Sequence, residues 1–124
     1  MNFKEETINK IEENGASINE IRWIGSQDFH IPIQDFWKIS NFEYDNGYGG
    51  QRIPYDLVIV GDYWWMERAE YDGAEWWEFK VKPRKPRFEA KLDKLPLGAW
   101  NTLAETIKEE RERRKEEKVE NENY

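Results

Sequence analysis

The chain has 124 residues and a mass of 15.1 kDa, room for one domain or one domain with a tail but not for two full ones. Its 26 acidic and 19 basic residues give a formal charge of -7, which disfavours nonspecific attraction to nucleic acid or an anionic membrane. The absence of cysteine excludes a disulfide framework, a thiolate nucleophile and a cysteine zinc site, while seven Trp, six Tyr and six Phe supply the mass of a core.

Phe3, Thr7, Ile8 and Ile11 fall at three- and four-residue steps, with Glu5, Glu6, Lys10, Glu12 and Glu13 on the opposite face, so a helix is expected over 2–13. Asn14 and Gly15 tolerate the left-handed conformation that closes it. EIRWIG at 20–25 and FHIPI at 29–33 read as a first hairpin, with Pro32 placing the second strand at an edge or ending it. Phe36, Trp37 and Ile39 suit a short helix or turn within 34–42, and the glycine-rich run 43–54 reads as a loop. DLVIVG at 56–61, apolar and β-branched, predicts a buried central strand.

The run YWWMERAEYDGAEWWEFKV at 63–81 sets two aromatic segments around Asp72-Gly73, a strong hairpin signal because a primed turn needs positive φ. A two-residue loop opposes Ala69 to Trp76 and Trp65 to Lys80, and gathers Trp64, Met66, Trp77, Phe79 and Val81 on the other face. It also opposes Glu67 to Glu78 and Glu70 to Glu75, which is unfavourable, whereas a three-residue loop with a bulge opposes Arg68 to Glu78. The register stays open at this point. Either way aromatics occupy both sides of the ribbon.

Charge is segregated along the chain. Residues 1–79 hold 16 acidic and six basic residues, net -10, whereas Lys80 to Lys94 holds seven basic and two acidic, net +5. Pro83 and Pro86 make the start of that stretch an extended linker, and Phe88, Ala90 and Leu92 alternate as in an edge strand. A C-terminal helix over 97–107 carries Trp100, Leu103, Ala104 and Ile107. It starts early at Pro96-Leu97, or late, where Thr102 and Glu105 stand at capping-box spacing. Beyond Ile107 the sequence keeps helix formers and i,i+4 charge pairs but no core face, so 108–124 is expected as a charged helical extension or frayed tail. The organisation predicted is a single α+β domain over 1–107: an antiparallel sheet of four or five strands with an N-terminal helix and a C-terminal helix on one face.

Chemistry-bearing motifs are sparse. His30 is the single histidine and reads as an ordinary strand residue. Asp56, Asp62 and Asp72 stand near strand ends, where carboxylates can serve a divalent ion, but no spacing joins them and turn capping is the expected role. No metal site or cofactor is assigned. The residues expected to contact a partner are Trp64, Trp65, Glu67, Tyr71, Trp76, Trp77 and Glu78, one member of each tryptophan pair pointing away from the core. Lys82, Arg84 and Lys85 are the candidate phosphate contacts.

The stretch YDNGYGGQRIPYDLVIVGDYWWMERAEYDGAEWWEFK resembles small uncharacterised proteins encoded by bacterial phages and conjugative elements, over about residues 20–82. That resemblance carries no catalytic motif. It implies such an origin, while the hairpin's aromatics and adjoining acids point to a noncatalytic protein-binding or accessory protein, its partner encoded by host or element, for which net charge favours a basic one. DNA mimicry or direct nucleic-acid binding ranks second, and a carboxylate-based, metal-dependent enzyme third. No run approaches the roughly eighteen apolar residues of a transmembrane helix, so a cytoplasmic protein without membrane attachment is expected.

Overall fold

The computed structural model describes residues 1–122; residues 123 and 124, the end of the expected tail, lie outside the described residues. The chain divides into two compact units, one of Met1–Arg84 and one beginning at Lys85. Among the described residues the fold is α+β, with three α-helices and one antiparallel five-stranded sheet. Among the described residues no helix is long and apolar enough to cross a membrane.

In the first unit, α1 (Phe3–Glu13) forms where the apolar stripe predicts it, with Phe3, Thr7 and Ile11 buried. The Asn2 side chain accepts from the Glu5 N–H at 3.0 Å, satisfying one of the donors a helix start leaves open. A short 3-10 turn at Ile18–Glu20 follows, closed by a reciprocal Ser17/Glu20 capping box. Strands β1 (Trp23–Gly25) and β2 (His30–Ile31) make the first hairpin. Gly25 is required there, because a Cβ would lie 2.1 Å from the Phe29 carbonyl oxygen. Pro32 ends β2 and opens α2 (Ile33–Ile39), which buries Phe36.

Strand β3 (Val58–Val60) is the middle of the sheet, whose order is β2-β1-β3-β4-β5. Strands β4 (Trp64–Tyr71) and β5 (Ala74–Val81) form the long hairpin. Asp72 at φ 49° and Gly73 at φ 85° supply the two positive dihedrals of a two-residue primed turn. The register is therefore the simple one, opposing Tyr71 to Ala74, Glu70 to Glu75 and Glu67 to Glu78. The like-charge objection fails because each carboxylate has its own partner. Glu75 is drawn into the core by Arg68, Glu70 accepts from the Gly73 N–H, and Lys80 lies between Glu67 and Glu78.

The core lies between α1, α2 and the inner sheet face and is centred on Ile11, Ile24, Ile59, Trp64, Met66 and Trp77. Trp64 stacks on Phe79 at 5.1 Å and donates its indole N–H to Glu20 Oε2 at 3.0 Å. Trp77 stacks on Phe3 at 5.8 Å and donates to Thr7 Oγ1 at 2.9 Å, which satisfies the polar atom of a fully buried ring.

In the second unit, residues 85–102 form neither strand nor helix. The edge strand expected from Phe88, Ala90 and Leu92 is absent: the alternation is there, but prolines interrupt the flanks and no ladder partner takes up the run. The C-terminal helix α3 spans Leu103–Glu122, so it starts late rather than at Leu97 and continues through the charged run. Thr102 Oγ1 accepts from the Glu105 N–H at 3.1 Å, the cap that sets this start.

Candidate functional site

Alternation along the strands, together with the registers, assigns each side chain of the sheet to a face. Ile24, Ile59, Met66 and Phe79 occupy one row of the inner face. The outer face carries Trp23, Val60, Trp65 and Lys80 in one row, and Val58, Glu67 and Glu78 in the next. Ala69 and Trp76 extend it toward the turn, with Tyr71 and Ala74 beyond.

Each adjacent tryptophan pair is split by this geometry. Trp64 and Trp77 are each 1% exposed and belong to the core, whereas Trp76 is 38% exposed and Trp65 is half-buried. Tyr71 is exposed at the strand end. Trp23, 40% exposed, joins the same outer face through its pairing with Val60, which in turn pairs with Trp65. Its place there depends on which strands are neighbours, which the residues around it do not specify. The outer face is thus a shallow aromatic surface of three indoles across β1, β4 and β5.

The charged side chains between Trp65 and Trp76 are ordered by ionic contacts. The Trp65 indole N–H donates to Glu67 Oε1 at 2.8 Å, and Lys80 Nζ lies 3.0 Å from Glu67 Oε2. The Trp65 hydrogen bond, then Lys80, hold the Glu67 carboxyl below its usual range, and Glu67 raises the Lys80 ammonium in return. At the far end of the sheet, Arg22 grips Asp62 with two hydrogen bonds of 2.6 and 2.9 Å. Asp62 is held low by that contact and is occupied as an ion-pair partner, Asp72 is a turn residue, and Asp56 lies in the turn before β3. Among the described residues no three His, Asp or Glu side chains gather closely enough to hold a metal ion. Lys82 and Arg84 end the first unit and Lys85 begins the second; all three side chains are exposed.

Beneath the sheet lies a polar cluster that the sequence does not announce. Arg68 and Glu75 are both fully buried, with Arg68 Nη2 2.7 Å from Glu75 Oε1. Glu75 also accepts from the backbone N–H groups of Arg52 and Ile53, and Arg68 reaches the Tyr44 hydroxyl at 3.1 Å. Tyr44 in turn donates to Glu6, which lies 3.7 Å from Arg68 Nη1. The guanidinium carbon sits 4.8 Å from the Trp77 ring centre and 5.4 Å from that of Phe3, so aromatic faces surround Nε and Nη1, which lack hydrogen-bond partners. The usable signal was the simple hairpin register, which puts residues 68 and 75 on the apolar face with opposite charges.

Burial and the bond to Glu6 raise the Tyr44 hydroxyl well above its ordinary value, against a smaller lowering by Arg68. Its neutral form is favoured in the fold, so its contribution is complete below the unfolded value of about 10 and is lost as pH rises toward the folded one. Denaturation series above about pH 10 are expected to show falling stability, with a smaller fall in Tyr44→Phe. Equal alkaline slopes in the two proteins would remove Tyr44 as the cause.

No protein-family model matches the chain, and neither does any curated protein or solved structure.

Proposed function

We propose that the chain is a noncatalytic protein-binding module whose contact surface is the outer sheet face, with Trp65 and Trp76 at its centre and Trp23 and Tyr71 beside them. The observation that carries this reading is the division of labour among the tryptophans. Trp64 and Trp77 complete the core, so the outer indoles are not needed to fill it. Exposed indoles grouped on one face are the side chains that most often dominate binding energy, and Glu67 and Glu78, which share that face, suit a partner with basic groups. The setting in a phage or conjugative element is proposed on the sequence resemblance.

The test is a pull-down from cells of the native host with wild type and a Trp65→Ala/Trp76→Ala double variant. Both side chains face away from the core, so circular dichroism and thermal midpoint are expected to stay near wild type. The affinity for the captured partner is expected to fall at least about 30-fold, the effect of losing a hot-spot pair. Retention of every partner by a folded double variant would overturn the reading.

A further inference from the structure

The formal charge of -7 lies in the first unit, which holds 16 acidic and nine basic residues, whereas the second unit holds ten of each. Within α3 those charges are sorted by helix face. Lys108, Arg111, Lys115 and Lys118 recur at steps of three and four, with Arg114 beside them, and all five side chains are exposed. Glu105, Glu109, Glu112 and Glu116 recur in the same way on another face. Arg111 is the centre of the basic stripe. The residues three and four positions from it are Ile107, Lys108, Arg114 and Lys115, so no neighbour on its own face offers a carboxylate. Arg114 pairs with Glu110 at 3.4 Å, but Lys108, Arg111 and Lys115 have no ion pair among the described residues. Like charges at these spacings destabilise a helix, so an anion that meets the stripe relieves a repulsion built into it.

Two recesses open along this stripe, and Arg111 lines both. The larger, of about 490 Å³, combines the apolar surface of Phe88, Ala104 and Ile107 with the cations Lys108, Arg111 and Lys115. Phe88 is 90% exposed, so its ring is bare. The smaller, of about 70 Å³, brings Lys91, Lys94 and Arg114 around Arg111. Glu89 and Glu112 line the first as well, and Asp93 and Glu110 the second, so cations outnumber carboxylates in each.

We infer that single-stranded nucleic acid binds along this face of the second unit, its phosphates on Lys108, Arg111, Arg114 and Lys115 and a base stacked on Phe88. From Lys108 to Lys118 the stripe runs about 15 Å, long enough to meet several phosphates of one strand. The guanidinium of Arg111 suits the central phosphate, because its planar donors take two oxygens at once. A bare aromatic ring beside a row of cations holds unpaired bases, whose faces are hidden inside a duplex. The acidic stripe repels phosphate, and so fixes which side of α3 turns toward the strand. Net charge argues against nucleic acid only when averaged over the chain, since the excess acid belongs to the first unit.

Fluorescence anisotropy of a labelled oligothymidylate, mixed with the full chain, tests the inference. A dissociation constant of about 1–100 µM is expected at physiological salt. The logarithm of the association constant is expected to fall with that of salt at a slope of about -2 to -3, as three or four phosphates are neutralised. Arg111→Glu gains opposite-charge neighbours in Lys108, Arg114 and Lys115, so helix content by circular dichroism is expected to hold or rise while affinity drops about tenfold or more. Phe88→Ala is expected to weaken oligothymidylate binding about tenfold and to leave the weaker binding of a duplex unchanged. Glu105→Gln/Glu116→Gln, on the acidic face, is expected to bind at least as tightly as wild type. Absence of binding at about 100 µM chain in about 50 mM salt would overturn the inference. So would wild-type affinity in Arg111→Glu, or unchanged single-strand affinity in Phe88→Ala. Capture by phosphatidylserine vesicles without any binding of oligothymidylate would overturn it in favour of a lipid surface. None of these failures touches the outer-face reading, because Trp65 and Trp76 belong to the first unit.

Discussion

Replacing Arg68 with Met is expected to cost about 3–5 kcal/mol, a large part of the roughly 5–15 kcal/mol that holds a domain folded. The loss follows from what remains behind. Glu75 is fully buried, and without the guanidinium 2.7 Å away its carboxylate keeps only the Arg52 and Ile53 N–H groups as partners. Tyr44 and Glu6 lose their shared cation as well, and the rings of Phe3 and Trp77 each lose the flat cationic group that lies against them. Guanidinium denaturation of the variant measures the effect, and a change below about 1 kcal/mol would refute the account. Removing both charges with Arg68→Met/Glu75→Leu is expected to recover part of the loss. Recovery stays incomplete because the leucine orphans the two backbone donors that Glu75 satisfied.

Trp77→Ala is expected to cost a further large amount, about 3–5 kcal/mol, through the cavity left by a ring that is 1% exposed. The same change removes the stack on Phe3, the bond to Thr7 Oγ1 and the aromatic face beneath Arg68. Because Arg68 and Trp77 share this contact, the double variant Arg68→Met/Trp77→Ala is expected to lose about 1 kcal/mol or more less than the sum of the single losses. Strict additivity in a double-mutant cycle would show that the guanidinium and the indole do not support one another.

Much of the architecture follows from local signals with a direct physical cause. The α1 stripe, the β-branched run of β3 and the Asp72-Gly73 turn each specify an element from neighbouring residues alone. The division of Trp64 from Trp65 and of Trp76 from Trp77 follows from strand alternation once the hairpin exists. What stayed hidden was non-local. Opposing Glu70 to Glu75 is unfavourable for two unpaired carboxylates, whereas Glu75 is internal and answered by Arg68 on its own face. Trp23 reaches the outer aromatic surface because β1 lies beside β3, a fact of sheet order that no window around residue 23 contains. Phe88, Ala90 and Leu92 err in the opposite direction, since a strand-like alternation without a ladder partner remains coil.

The bonds from Arg52 and Ile53 to Glu75 give the glycine-rich segment 43–54 a thermodynamic character its composition disguises. A surface loop ordinarily opens on its own, at a small fraction of the global unfolding free energy. Here the loop backbone is anchored to a carboxylate that Arg68 holds within the hairpin, and Ile53 is itself part of the core. Releasing the segment therefore exposes a buried ion, so its opening belongs to the same cooperative unit as β4 and β5. A stretch that looks like punctuation between two strands is, energetically, part of the hairpin that follows it.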